Sequence, residues 1–402
     1  MSIKLKGSSD GSVSLDAPAD TSPTGTDITF VLPTADGTAE QVLKTDGSGN
    51  LSFADNVSSG RNIVINGAMN VAQRGTSKTG ITAAGYPTVD RMIWALFNCG
   101  TWTSTQESDG PPGFSNSFKA LCTTADASPA ASDYAVFQYF FEAQDLQHLK
   151  YGTSDAVPIT VSFWVKSNKT GNASLGALQF DGSQRTFSKQ YTINSANTWE
   201  YKTITIPADA SGQIDDDNGA GMLIEWWCNS GSDFQGGSHP ATWTAKDDTD
   251  RNASPIGIGQ AVNDYFQITG IQVEVGSVAT KFEHRIYVDE LARCHRYYWQ
   301  QNASTAYTRY GIVSVEHGGA AETVIHLPTT MREPPALLHG TVGNSTIYSG
   351  NTLFTATALA MDNTSANAVC IAIGSSGLTA GRAGTFLSNN TTDFYLGFDA
   401  EL

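Results

Sequence analysis

The chain predicts an all-β protein, and three observations carry that prediction. Short runs rich in β-branched and aromatic residues recur between turn signals of Gly, Asn, Asp and Pro. Apolar residues make up 40% of the 402 residues, enough to build real cores, while only 15% are charged, below the quarter or so usual in globular chains. Only one stretch, 289–300, carries helical spacing, so the strands are not interleaved with helices as a parallel sheet requires. The expected architecture is a strand-rich N-terminal attachment segment, a central jelly roll or β-sandwich, a short linking helix and a small C-terminal β-sandwich.

Residues 1–59 form the first part. Short apolar alternations (Ile3/Leu5, Val13/Leu15, Ile28/Phe30/Leu32, Val42/Leu43, Leu51/Phe53) are separated by Ser9-Asp10-Gly11, Pro23-Thr24-Gly25, Asp36-Gly37 and Asp46-Gly47. Strands this short bury no core alone, so the segment is expected to intertwine with copies of itself or to dock on a partner. Residues 60–286 read as one large β domain, with strands at 62–66, 91–97, 159–167, 174–180, 199–206, 221–228 and 265–275. The last of these alternates Phe266, Ile268, Ile271, Val273 and Val275, with Gly270 placed as a bulge. Residues 287–302 hold the linking helix. Leu291, Cys294 and Tyr298 fall at helical spacing, Asp289 is the expected N-cap, and Glu290 sits in the first turn. Residues 303–402 return to strands, at 311–316, 323–327, 337–340, 368–373 and 393–398.

Bulk properties narrow the function. The net charge of −16 opposes nucleic-acid binding, which needs a basic footprint. No run is long and apolar enough to span a membrane, and the N-terminus lacks the apolar region of a signal peptide, so a role outside the cell implies release by lysis. Cys99, Cys122, Cys228, Cys294 and Cys370 are odd in number, widely scattered and free of C-x-x-C spacing. They read as buried free thiols of a protein assembled in a reducing cytoplasm.

Catalytic signatures are absent. None of the seven histidines has metal-ligand spacing, no G-x-S-x-G elbow occurs, and Gly257-Ile258-Gly259 lacks the βαβ setting of a dinucleotide loop. His284, flanked by Glu283 and Arg285, reads as structural. Asp215, Asp216 and Asp217, followed by Asn218-Gly219, could offer oxygen ligands to calcium, although the spacing lacks the alternation and final glutamate of an EF-hand and suits a solvated turn better. Asp247 to Asp250 make a weaker version of the same pattern. No β-helix repeat of the kind that frames polysaccharide-cleaving tailspikes is visible. The chain is expected to be non-enzymatic and to need no cofactor. Trp102, Trp199, Trp226, Trp227 and Trp243 are the candidate sugar-stacking residues, because an indole face meets the C–H side of a pyranose favourably, with core filling as the competing role. Trp226 and Trp227 are adjacent on one strand, so they point to opposite faces.

Several motifs resemble those of tailed-phage fibre proteins from marine and cyanobacterial phages. Asn62-Ile63-Val64-Ile65-Asn66-Gly67, then Ala72-Gln73-Arg74-Gly75, then Asp90-Arg91-Met92 resemble the opening of a carbohydrate-binding-like sandwich in those fibres. The strands at 161–167 and 199–206 resemble later strands of that module in order, and 265–285 its closing strand. Residues 290–298 resemble the helix that follows it. Leu327-Pro328-Thr329-Thr330-Met331-Arg332 with Pro334-Pro335 resembles the start of a C-terminal fibre domain, and 43–51 resembles a repeat near fibre N-termini. The resemblance implies a virion structural protein, a tail fibre working as a homotrimer. Its N-terminus would hold other tail or capsid proteins and its distal domains would contact a host surface glycan or protein. Two other roles stay open at this point: a capsid-decorating fibre or tail adaptor with no receptor of its own, and a glycan-cleaving tailspike.

Overall fold

The computed structural model describes residues 3–6, 12–15, 29–34, 36–37, 41–55 and 60–402. The turns expected at Ser9-Asp10-Gly11 and Pro23-Thr24-Gly25, and Ile28, lie outside the described residues. The chain divides into two compact units, 1–59 and 60–402.

The first unit contains two antiparallel hairpins. β1 (Ile3–Lys6) pairs β2 (Ser12–Leu15), and β3 (Gln41–Thr45) pairs β4 (Leu51–Asp55). The second hairpin is closed by Asp46, whose carboxylate accepts from Ser48 N at 2.7 Å, Asn50 N at 3.1 Å and Asn50 Nδ2 at 2.7 Å. An acidic side chain that satisfies its own turn is what makes the Asp-Gly-Ser-Gly-Asn run a turn. The apolar members stay open: Phe30, Val31, Leu32, Val42, Leu43 and Phe53 are all exposed.

The second unit begins with eleven strands: β5 (Ser77–Gly85), β6 (Ile93–Glu107), β7 (Ser117–Thr124), β8 (Tyr134–Glu142), β9 (Ile159–Ser167), β10 (Gly171–Gln179), β11 (Arg185–Ile193), β12 (Glu200–Ile206), β13 (Ala220–Ser230), β14 (Thr244–Ala245) and β15 (Tyr265–Val275). They form one antiparallel sheet in the order β12-β9-β15-β7-β6-β8-β13-β10-β11-β14, with β5 beside β6. The sheet folds over on itself, so Phe163 of β9 meets Tyr191 of β11 at 5.3 Å and Trp226 of β13 at 5.6 Å. This closes a sandwich around a core of Trp94, Trp102, Phe118, Phe137, Phe163, Trp226 and Phe266. Gly270 is the expected bulge: its φ is +62° and the register against β9 slips between Thr269 and Gln272.

The stretch expected as a strand at 62–66 is instead an irregular buried segment. Its asparagines take over the backbone pairing: Asn62 Oδ1 accepts from Val64 N and Val273 N, and Asn66 Nδ2 donates to Val71 O and Asp90 O. Asn66 sits at φ +62°, outside the extended region that a regular ladder requires.

α1 (Tyr287–Cys294) is the only α-helix among the described residues, and it is shorter than its spacing suggests. Its N-cap is Ile286 rather than Asp289, which lies in the first turn. Residues 298–302 leave the helical pattern because Tyr298 and Trp299 pair with the last strand of the chain, a contact the local spacing does not reveal. The remaining strands are β16 (Tyr298–Asn302), β17 (Arg309–His317), β18 (Ala320–His326), β19 (Ala336–His339), β20 (Ser345–Ser349), β21 (Thr352–Thr355), β22 (Ala358–Asp362), β23 (Ala368–Gly374), β24 (Ala383–Ser388) and β25 (Tyr395–Asp399). A three-stranded sheet, β16-β25-β19, packs on a seven-stranded one, β21-β20-β24-β17-β18-β23-β22. The second core lies between them and includes Val313, Ile325, Ile347, Ile371, Phe386, Phe394 and Phe398. The molecule is all-β, as its sequence predicts.

The two cores meet through a buried polar junction built from the conspicuous sequence motifs. Gln73 holds Asp90 through its backbone N (2.9 Å) and Nε2 (2.5 Å), and the same Nε2 reaches Tyr298 O at 2.8 Å. Arg74 pairs with Asp399 at 3.1 Å and Glu401 at 3.3 Å and stacks 3.4 Å over the Tyr298 ring. Arg91, fully buried, pairs with Glu401, donates to Phe140 O at 2.8 Å and stacks 3.4 Å over Tyr297. Arg296 forks onto Glu142 at 2.7 and 2.6 Å, and Arg332 donates to Ala400 O and Glu401 O at 2.8 Å each. Buried charge persists only where it is paired and hydrogen-bonded, so Arg74 and Arg91 fix the chain's last residues against the first sandwich.

Candidate functional site

Four of the five expected stacking tryptophans are unavailable. Trp102 and Trp226 are 0% exposed, Trp227 1% and Trp243 5%. Trp102 packs 4.7 Å from Trp94 and donates to Cys99 O, and the Gly259 Cα approaches its ring so closely that a Cβ there would lie 2.6 Å from it. The Gly257-Ile258-Gly259 run is therefore a packing loop. Trp226 fills the centre of the sandwich. Trp227 does point to the opposite face, but Phe234 at 5.1 Å and the Arg251 guanidinium at 5.1 Å cover it. Trp243 is held under the loop by its bond to Pro207 O at 2.8 Å. Core filling wins at all four because each ring gains more from burial than a solvent-facing position offers.

The acidic loop is corrected too. Among the described residues no group of three or more His, Cys, Asp or Glu side chains is placed to hold a metal. Asp217 accepts from Gly219 N at 2.8 Å and Asp215 from Gln213 Nε2 at 2.7 Å, while Asp216 is exposed. Each serves its own turn, which is the solvated reading.

Trp199 alone stays partly exposed, and it belongs to a platform that the sequence reading missed. Cross-strand register aligns one face of β12, β9, β15 and β7. Tyr201 lies opposite Trp164, which lies opposite Thr269; Lys166 lies opposite Gln267, which lies opposite Lys119. Trp199 precedes β12 with the parity of Tyr201 and meets Lys166, whose ammonium sits 5.7 Å over the indole. The rings form a continuous run. Tyr201 is 5.3 Å from Trp164, and both Trp164 and Phe114 close over Gly270, where a Cβ would lie 3.1 Å and 2.8 Å from them. Phe114 continues the run to Phe282 at 4.9 Å and His284 at 5.2 Å. His284 thus keeps its structural role and adds a ring to the surface.

Polar groups fix one flank of this run. Asp109 accepts from Lys166 Nζ at 2.8 Å, Gln267 Nε2 at 3.1 Å and Trp199 Nε1 at 3.4 Å. The Lys166 ammonium beside it holds the Asp109 carboxyl below the usual carboxylate range. Tyr265 donates to Asn197 Oδ1 at 2.8 Å and carries Lys119 5.0 Å over its ring. Lys119 in turn reaches Glu107 at 3.8 Å, so Lys119 and Lys166 of this face are each matched by a carboxylate. The result is a partly exposed aromatic surface across β12, β9 and β15, its rings inclined to one another, with hydroxyl, amide and carboxylate groups at its edge and little uncompensated charge. Such a surface can stack on apolar faces of a neutral polar ligand and hydrogen-bond its hydroxyls. The signal was present in the parity of two strands: Trp164 shares its face with Thr160, Ser162 and Lys166, and Tyr201 shares its face with Thr203 and Thr205.

No family model matches the chain, and no curated protein matches it. Among solved structures it is similar to the enzymatically active domain of bacteriophage CBA120 tailspike protein 4, with 15% identity, 55% of this chain and 22% of that chain covered, and a TM-score of 0.29. The chain thus spans about a fifth of the length of that solved domain. It is also similar to the family 11 carbohydrate-binding module of Clostridium thermocellum Lic26A-Cel5E (12% identity, 50% and 99% covered, TM-score 0.25). A third similarity is to the tandem CBM22-1–CBM22-2 of Paenibacillus barcinonensis Xyn10C (7% identity, 82% and 97% covered, TM-score 0.24). Likeness at this level carries no argument about ligand or activity, which rest on the residues above.

Proposed function

We propose that this chain is a non-enzymatic fibre component of a phage virion that adsorbs to a neutral glycan of the host surface. The observation that carries the glycan reading is the partly exposed run Tyr201–Trp164–Phe114 flanked by Trp199, Asp109 and Asn197. The pairing of Lys166 with Asp109 and of Lys119 with Glu107, and a net charge of −16, disfavour an anionic ligand. The virion role rests on the motif order from Asn62 to Pro335. In this reading residues 1–59, with their open apolar side chains, attach to tail or capsid proteins. The chain works as a homotrimer on the virion exterior, assembled in the host cytoplasm without cofactor, nucleic acid or membrane insertion. Repetition around a symmetry axis turns weak single-site contacts into avidity.

Calorimetry of the full chain against neutral oligosaccharides cut from host surface polysaccharide tests the proposal. Binding that Tyr201→Ala weakens about tenfold or more, roughly 1.4 kcal/mol, is expected. Binding indifferent to Tyr201 and Trp164 would remove the platform from the account, and release of reducing ends from intact polysaccharide would overturn the non-enzymatic assignment.

A further inference from the structure

An open groove of about 650 Å³ runs over the face of the seven-stranded sheet that points away from the second core. One cross-strand row lines it: Tyr348 of β20 lies opposite Thr385 of β24, and Thr385 opposite Ile312 of β17. Ile312 is 78% exposed and Tyr348 39%, while their chain neighbours Val313, Ile347 and Phe386 are buried on the other face. Arg382, just before β24, also lines the groove, together with Gly350 and Asn351 of the turn that joins β20 to β21. Apolar walls carrying a small set of polar groups are the make-up of a ligand site.

Arg382 is seated there without being neutralised. Gly350 and Asn351 take φ of +58° and +63°, the left-handed pair of a two-residue hairpin turn. A Cβ on Gly350 would collide with Arg382 Nη1, so the guanidinium lies against the turn where the glycine leaves room. Among the described residues the Arg382 side chain has no hydrogen-bond or ion-pair partner, unlike the arginines of the buried junction. Glu316 is near along the chain, following Val315, whose N–H donates to Arg382 O at 2.9 Å, yet no ion pair joins the two side chains. Tyr348 donates to Asn351 Oδ1 at 3.1 Å, which leaves the Asn351 Nδ2 hydrogens unused. The groove therefore offers a guanidinium fork and an amide donor, and no carboxylate lines it.

We propose that this groove binds a carboxylated sugar unit, a hexuronate, of a surface polysaccharide. Its carboxylate sits on the Arg382 fork, a hydroxyl accepts from Asn351 Nδ2, and its C–H face meets Tyr348 and Ile312. A guanidinium matches a carboxylate through two parallel bonds at once. The net charge of −16 and the nearby Glu316 oppose a phosphate dianion, so a single carboxylate suits the site better. An acidic peptide carries the same group, but the groove lies on the face of the sheet, where a peptide finds no free backbone edge to pair with. The site is separate from the aromatic platform of the first sandwich and takes another ligand class. Lys119 and Lys166 of the platform are each matched by a carboxylate, and Arg382 is not.

Calorimetry of the full chain tests the site with oligomers of galacturonate and of glucuronate, and with the same oligomers after reduction of their carboxyls to alcohols. Millimolar or tighter binding of a uronate oligomer, and none of its reduced form at this groove, is expected. Arg382→Gln should weaken uronate binding about tenfold or more, the worth of a charged hydrogen-bonded contact. Arg382→Lys should lose most of it as well, because a point charge lacks the fork. Gly350→Ala should also weaken it by displacing the guanidinium, with circular dichroism showing that each variant is folded. Tyr201→Ala should leave uronate binding unchanged, and Arg382→Gln should leave neutral-oligosaccharide binding unchanged, so that each site stands or falls alone. No binding of either uronate at millimolar concentration, or binding that survives Arg382→Gln, overturns the proposal. Equal Arg382-dependent binding of polyglutamate or of a hexose phosphate overturns the assignment to a sugar acid.

Discussion

At the residue scale, identical side-chain types serve opposite ends. Trp226 is sealed between Phe137 at 5.5 Å and Phe163 at 5.6 Å, whereas Trp164 stands half-exposed on the strand that carries Phe163. Trp226→Ala is expected to cost about 3–5 kcal/mol of stability in a denaturant titration, as for any large core aromatic. Trp164→Ala should leave the fold close to wild type and weaken glycan binding about tenfold, read by calorimetry, which is roughly 1.4 kcal/mol. Asp90 offers a separate test. Burial pushes its carboxyl up to about 6 from the ordinary 3.8, against the pull of Arg74 and the Gln73 bonds. Its folded form therefore keeps a proton that the unfolded chain gives up near 3.8, so its contribution is complete below that value and is lost as pH rises through about 6. The loss is on the order of 3 kcal/mol. Melting curves between pH 4 and 7 for wild type and Asp90→Asn should diverge over this window. Glu142, held below the usual range by its bonds to Arg296 and others despite the opposing effect of burial, acts in the reverse sense: it loses stability as pH falls, and it is common to both proteins.

At the element scale, β15 decides where the platform can exist. Its bulge at Gly270 bends the strand and leaves a space without a side chain, and Phe114 and Trp164 close over that space. Gly270→Ala forces a left-handed backbone on a residue with a Cβ and drives that Cβ against both rings. A loss of about 1–2 kcal/mol from the backbone alone is expected in thermal melts. Glycan binding should fall with it even at temperatures where circular dichroism is unchanged. Binding that survives intact would show that the aromatic run does not depend on this close approach. α1 makes the complementary point. Eight residues of helix suffice to carry the chain from the first sandwich to β16, because the following tyrosines are claimed by β25 and by the Arg74 and Arg91 stacks.

At the scale of the whole second unit, a buried ion-pair junction joins the two cores. The last residues of the chain are partners for Arg74, Arg91 and Arg332, so the C-terminus acts as a bolt. Glu401→Ala leaves the fully buried Arg91 guanidinium without its carboxylate and should cost about 3–5 kcal/mol in urea titrations. Near-wild-type stability in that variant would mean that the tyrosine stacks alone carry the junction.

The all-β class, the strand spans at Ile159–Ser167 and Tyr265–Val275 and the Gly270 bulge were legible in the sequence, because period-two alternation and turn chemistry are local properties. The irregular course of 62–66 and the early end of the helix were not, because asparagine side chains and a strand from the far end of the chain compete with local preference there. The motifs Gln73-Arg74, Asp90-Arg91 and Arg296-Tyr297-Tyr298 stood out in the sequence, but only tertiary contacts explain them: Arg74 and Arg91 meet at Glu401 and stack on Tyr298 and Tyr297, Gln73 holds Asp90, and Arg296 reaches Glu142. The candidate site shows the same division most clearly. Sequence determined that this chain has many large aromatics on alternating strands. Tertiary packing decided which face of each strand was left to water: it sealed Trp102, Trp226, Trp227 and Trp243 and left Trp164, Trp199 and Tyr201 open, since burial depends on what the rest of the chain lays over a residue.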